Sequence, residues 1–179
     1  MPVHVERRGI GAAAERRTER ALGPLAHVGW TITHDLELPG AGNIDHLAVG
    51  LPGVFVLDSK AWSGVVTVDH DGATITPRDD PEAAWLARGQ RRVAARTTVR
   101  VTRALAAATG MTVPAAHSVV VVWGNFPQRV ATSGEVTYVA GGHLHDWLLG
   151  QRARLNRTQL AAVSAANTPS LFADVPRPV

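Results

Sequence analysis

The chain has 179 residues, 45% hydrophobic, 18% charged and 5% aromatic, enough for one ordinary globular domain with its own core and not for two large ones. It has no cysteine, which excludes disulfide frameworks, thiol catalysis and Cys-ligated zinc. A formal net charge of +3 suits a polyanion without requiring one, but the basic residues are 17 Arg and a single Lys, Lys60, so the one lysine calls for a reason.

The longest apolar run, around residues 118–123, is far short of the roughly 20 that span a bilayer. The start MPVHVERRG has no apolar signal-peptide core. A soluble, cytoplasmic protein is expected, with no membrane partner.

Residues 10–26, IGAAAERRTERALGPLA, set Ala14, Ala21, Leu22 and Leu25 on one side at about 100° per residue, an amphipathic helix that Pro24 shortens. Glu15 lies one heptad before Leu22, beside the apolar stripe, and Glu19 further round, so Glu15 is the more inward-pointing acid. Five extended stretches follow, 27–37, 43–49, 53–60, 64–69 and 73–76, punctuated by PGAG, GLPG, AWSG and HDG. The third, GVFVLDSK, opens as a nearly continuous apolar run, as a central strand covered on both faces does, and turns polar at its end.

Asp80-Pro81-Glu82 have the residue types of an N-cap and first turn, and predict a long helix over 81–109 closed by Gly110. On it Leu86, Val93, Thr97, Val101 and Ala104 define an inward face with Gln90 in its middle. A buried Gln must find partners, either backbone groups or a polar site on the adjoining sheet. Arg88, Arg92, Arg96, Arg100 and Arg103 form a second stripe roughly 130° away, ordinarily a solvated face and equally able to hold phosphates. SVVVVWG reads as a strand, 136–140 as a short one, and 143–149 and 157–166 as helices. The order is α, several β, α, β, β, α, an α/β protein with a central mixed sheet flanked by helices.

Gly50-Leu51-Pro52-Gly53 joins two strands by a tight turn, so they form an antiparallel hairpin. A two-residue loop at Leu51-Pro52 sets Asp45 opposite Asp58, and one at Pro52-Gly53 sets it opposite Lys60. Either way Asp45, Asp58 and Lys60 share one face. Two carboxylates and an ammonium at a strand end suit a hard divalent cation, Mg²⁺ or Mn²⁺, beside a group that opposes developing anionic charge. A lysine near a metal is small, directed and pKa-tunable where an arginine is not, which accounts for the lone Lys. The plainer alternative is a surface salt bridge, worth about 0 to 1 kcal/mol. His46, beside Asp45, points to the opposite face and reads as a packing or hydrogen-bonding histidine.

GAAAERRTERAL, then DLELPGAGNIDHLAVGLPGVFVLDSKAWSG, then a helix bearing Gln90 together resemble the nuclease-related domain family of the restriction-endonuclease-like (PD-(D/E)xK) group, over residues 10–150. The resemblance implies an α-β-β-β-α-β core and a metal-dependent phosphodiesterase hydrolysing nucleic acid, with DNA the expected substrate. It implies Asp45 and Asp58 as metal ligands, Ser59 giving a backbone carbonyl, and Lys60 positioning water or stabilising the transition state. Glu15 matches the acidic residue of the family's first helix, and the family has a Gln in the helix where Gln90 stands. The family usually shows Gly where this chain has Ala14, and commonly Glu where it has Asp58, a shorter arm for a metal. Trp62, if exposed, is expected to stack on bases, and Arg88, Arg92 and Arg96 to contact the phosphate backbone. The alternative is a module that keeps the fold and binds nucleic acid or protein without turnover. Residues 1–150 are expected to form the nuclease-related domain. Residues 151–179 are expected as a helical extension packing on it, with a homodimer as the other use of that helix.

Overall fold

The first helix, α1 (Val3–Leu22), stops two residues before Pro24, and residues 23–28 continue as a 3-10 turn that ends at Gly29. Ala14, Thr18, Leu22 and, in that turn, Leu25 are buried at helical spacing, Glu15 is half-buried and Glu19 exposed. The computed structural model describes residues 3–39 and 42–173, and no helix among them is long and apolar enough to cross a membrane. The expected PGAG turn falls partly on residues 40 and 41, outside the described residues.

β1 (Thr31–Leu38), β2 (Gly42–Gly50) and β3 (Gly53–Lys60) form an antiparallel meander. β4 (Val65–Asp69) and β5 (Gly72–Thr76) form a second hairpin, which β6 (Trp85–Leu86) extends into a separate three-stranded sheet. After α2 (Gln90–Thr109), β7 (His117–Val122) returns parallel to β3. β9 (Val136–Ala140) lies parallel to β7, and β8 (Val130–Ser133), which the sequence pattern does not announce, pairs with it as an antiparallel edge. The main sheet is therefore mixed, in the order β1-β2-β3-β7-β9-β8.

α1 and α3 (Leu144–Leu149) cover one face of this sheet through Leu22, Phe55, Leu57, Val121, Leu144 and Leu148. On the other face α2 and α4 (Arg157–Ala166) meet Leu47, Val54 and Val56 through Val101, Leu105 and Val163. The small sheet packs beside them, its Val66, Val68 and Ile75 against Val120, Val122 and Tyr138. Covered on both faces, β3 is buried along its first five residues and opens only at Asp58 and Lys60. The C-terminal segment is tied to the sheet as well: Asn167 Nδ2 donates to the carbonyls of Thr31 and Leu47 at 3.0 and 3.2 Å.

The helix expected to start at Pro81 starts at Gln90. Asp80 makes no capping hydrogen bond, 81–83 is a single 3-10 turn, and Trp85–Leu86 pairs with β5, so tertiary strand pairing overrides the local capping signal. Gly89, with φ 90, supplies the left-handed residue from which α2 begins. The inward face expected on this helix holds from Thr97 onward, but Leu86 lies in a strand, Val93 is 59% exposed, and Arg88 precedes the helix. The first strand likewise starts at Thr31, because residues 23–28 are helical.

Candidate active site

Gly50 pairs with Gly53 across the two-residue loop Leu51-Pro52, and the β2–β3 register runs from there to His46–Leu57. One more step would set Asp45 against Asp58, but the ladder ends first. The next main-chain donor on that edge, the Ser59 N–H, goes to Asp45 Oδ2 at 2.8 Å. In a strand the N–H and C=O of one residue leave by the same edge, so the Ser59 carbonyl also faces the gap that β2 leaves. On the other side of β2 the pairing skips the step that would join Asp45 to Asp35, whose φ of 51 lies in the left-handed region. Both neighbours of β2 thus lose regular pairing at Asp45.

Asp58 and Lys60, two residues apart, share a face, and Lys60 Nζ donates to Asp58 Oδ1 at 2.7 Å with 31% and 38% of the Lys and Asp side chains exposed. The salt bridge considered from sequence is therefore present, but it does not use up the acids. Asp45, Asp58, Lys60 and Gln90 border a cavity of about 190 Å³. Glu15, Asp45, Asp58, Ser59 and Lys60 border a wider cleft of about 770 Å³, whose wall includes Trp62 and Trp85. Burial pushes the Asp45 carboxyl up to about 7, Asp58 and Glu15 adding to the effect and the Ser59 N–H and Lys60 opposing it.

Behind the carboxylates the opposite face of β3 carries a directed hydrogen-bond chain. Thr18 Oγ1 donates to the Ala14 carbonyl at 3.2 Å and accepts from Trp123 Nε1 at 2.8 Å and from Ser59 Oγ at 2.7 Å. With the Ser59 proton so used, His46 Nε2, 3.3 Å away, must be the donor to Ser59 Oγ. His46 Nδ1 is then an acceptor, and His34 Nδ1 at 2.7 Å donates to it. Burial, with His34 beside it, pushes His46 down to about 4 and keeps it neutral, as this chain requires. His46 thus lies on the face away from Asp58 and Lys60 and clamps Ser59 from behind.

Gln90 sits at the first turn of α2, half-buried, and borders the carboxylate cavity. Trp62 is half-buried, its ring edge-to-face with that of Trp85 at 6.3 Å, and Trp85 is 46% exposed. Trp85 was hidden from sequence reading by the helix expected there; Gly89 as a helix breaker was the available signal. Arg88 and Arg92 flank the start of α2. Arg96 is exposed along α2 and borders neither cleft, and Arg100 is engaged with the Pro39 carbonyl at 2.7 Å. The parallel register also sets Asp58, Val120 and Tyr138 in one row across β3, β7 and β9, which makes the only tyrosine a neighbour of the site.

The donor set suits a hard divalent cation. Three carboxylates face one ammonium, and among the described residues neither Asp45 nor Glu15 is in an ion pair. Asp45, Asp58 and the Ser59 carbonyl are the oxygens able to hold such an ion, with Glu15 at the margin. Among the described residues the one trio of ligating side chains drawn within 4.8 Å is Asp69, His70 and Asp71. These three are exposed turn residues, Asp69 Oδ1 accepting the Asp71 N–H at 2.9 Å. Glu15, Asp45 and Asp58 are spread wider, as two acids already held by Ser59 and Lys60 would be.

No match was found among curated proteins or among solved structures. The family described as nuclease-related domain matches residues 10–123, a span that opens just before Glu15 and closes at Trp123. With most of its length matched, and with a mixed sheet flanked by helices, this chain belongs to the nuclease-related domain family.

Proposed function

We propose that the protein is a divalent-metal-dependent nuclease that hydrolyses phosphodiester bonds in DNA. The observation that carries this reading is the convergence of Glu15, Asp45, Asp58 and Lys60 on one open cleft at the end of β3, walled by two tryptophans. Asp45, Asp58 and the Ser59 carbonyl hold Mg²⁺ or Mn²⁺. When bound, such an ion polarises a phosphoryl oxygen and acidifies water at neutral pH. Lys60, steered by Asp58, donates to the phosphate oxygen that gains charge. Gln90 lines the inner cavity, where its amide can donate to a substrate oxygen, and Trp62 and Trp85 offer faces on which bases stack.

The test is Asp58→Ala. The Asp58 side chain is 38% exposed and its salt bridge contributes little to folding, so the variant should keep the wild-type circular dichroism and melting. Metal-dependent DNA cleavage should fall by about 10² to 10³ or more. Undiminished cleavage by the folded variant would overturn the assignment and leave a fold that binds without turnover.

A further inference from the structure

A second polar cavity, of about 570 Å³, lies at the start of α2, bordered by Arg88, Gln90, Arg91, Arg92 and Tyr138, with Asp71 also on its wall. Three features make it a place for an anion. α2 is 20 residues long, and its N-cap is Gly89, which has no side chain to bond the first amides. The first intrahelical bond is Val93 N–H to Gly89 C=O, which leaves the amides of Gln90, Arg91 and Arg92 at the positive end of the helix dipole without partners inside the helix. Arg88, Arg91 and Arg92 are exposed around that end, and no arginine is among the ion pairs of the described residues.

The third feature is Tyr138. Its side chain is fully buried, yet its hydroxyl has no hydrogen-bond partner, a rare and costly condition in a folded protein. Burial and Asp58 push its phenol upward while Arg91 pulls it back, so at neutral pH it carries its proton and can only donate or accept as a neutral hydroxyl. Arg91 is aimed by its bond to the His70 carbonyl at 2.9 Å. Asp71, the one acid on this wall, is 66% exposed and sits by His70 at 3.3 Å, at the solvent side. Gln90 and Val93 border this cavity and the carboxylate cavity alike, so the two adjoin.

We infer that this cavity is a phosphate subsite, in which the first-turn amides of α2, Arg88, Arg91 and the Tyr138 hydroxyl hold a phosphate group of the nucleic-acid strand next to the one being cut. It rests on the nuclease reading for the identity of the strand. The phosphate is either a terminal monoester or an internal diester, and both present the same oxygens to these donors.

The experiment is titration without divalent metal, in EDTA, of the full chain with inorganic phosphate and with one short single-stranded DNA in three forms: 5′-phosphorylated, 3′-phosphorylated and hydroxyl-ended. Wild type, Arg91→Ala and Tyr138→Phe are compared. Arg91→Ala should weaken phosphate and DNA binding about tenfold, and Tyr138→Phe severalfold, in line with hydrogen bonds to charged groups. Tyr138→Phe removes only a hydroxyl that the protein does not pair, so its melting temperature should match or exceed that of wild type. A preference for one phosphorylated end that Tyr138→Phe erases assigns a terminal monoester. Equal binding of all three DNAs, weakened in both variants, assigns an internal diester. Variants that bind every probe as wild type does would overturn the subsite. Because no metal or turnover enters, failed cleavage with phosphate binding intact would overturn the nuclease reading alone.

Discussion

Asp45 Oδ2 accepts the main-chain N–H of Ser59 at 2.8 Å, where a regular hairpin would offer a backbone carbonyl. One side chain thereby ends the β2–β3 ladder, opens an edge beside the Ser59 carbonyl, and is itself fixed at the mouth of the cleft. The hydrogen bond needs an oxygen at that place; it does not need the negative charge, which burial and the neighbouring acids disfavour.

Asp45→Asn and Asp45→Ala should therefore separate. The Asn variant keeps an acceptor for Ser59 and relieves repulsion, so in EDTA it should melt at or above wild type while losing Mn²⁺ binding. The Ala variant leaves the N–H of buried Ser59 unpaired and should be about 1–3 kcal/mol less stable than Asn by denaturant titration. Equal stability of the two would show that the Asp45–Ser59 bond does not hold the strand end.

Thr18 is the node of the hydrogen-bond chain behind β3. Thr18→Val keeps shape but removes the hydroxyl shared by Ala14, Ser59 and Trp123, leaving buried donors without an acceptor. The expected cost is about 1–3 kcal/mol of stability. Ser59→Ala alone should also destabilise, and the double variant should fall short of the sum, because both act on one network. Strict additivity in denaturant unfolding would contradict the chain.

His117 supplies a pH dependence away from the site. It is bonded to Thr137 Oγ1 at 2.8 Å and packed between Phe55 and Trp147, and burial, with Arg154 nearby, holds its pKa below the ordinary 6.5. Below that value the unfolded chain takes up a proton that the folded chain resists, so this group's stabilisation is present above about 6.5 and is lost as pH falls. Unfolding free energies measured between about pH 7.5 and 5.5 should fall less steeply for His117→Gln than for wild type. Identical slopes would mean that His117 titrates alike in both states.

The hairpin was legible because its loop, Gly50-Leu51-Pro52-Gly53, is local, and counting residues back from it places Asp45 near Asp58 and Lys60 with no knowledge of the rest. The half-buried setting of Glu15 follows the period of α1 in the same way. What sequence reading lost depends on distant pairing. Trp85–Leu86 belongs to a strand only because β5 lies alongside, and Tyr138 approaches the site only because β7 and β9 add in parallel beyond β3. The arginine stripe was read on a helix begun nine residues too early, which is why its Arg88 and Arg92 flank a helix start while Arg96 stands apart.

Metal-dependent hydrolysis is read straight from a cleavage assay. Plasmid, linear and single-stranded DNA would be incubated with Mg²⁺ or Mn²⁺, wild type beside Lys60→Ala and beside wild type in EDTA. Under the proposed mechanism EDTA abolishes cutting and Lys60→Ala lowers it by about 10² to 10³, with the preferred DNA form read from the same gel. Cutting by Lys60→Ala at the wild-type rate, or no cutting of any form by protein shown to hold the metal, would contradict it.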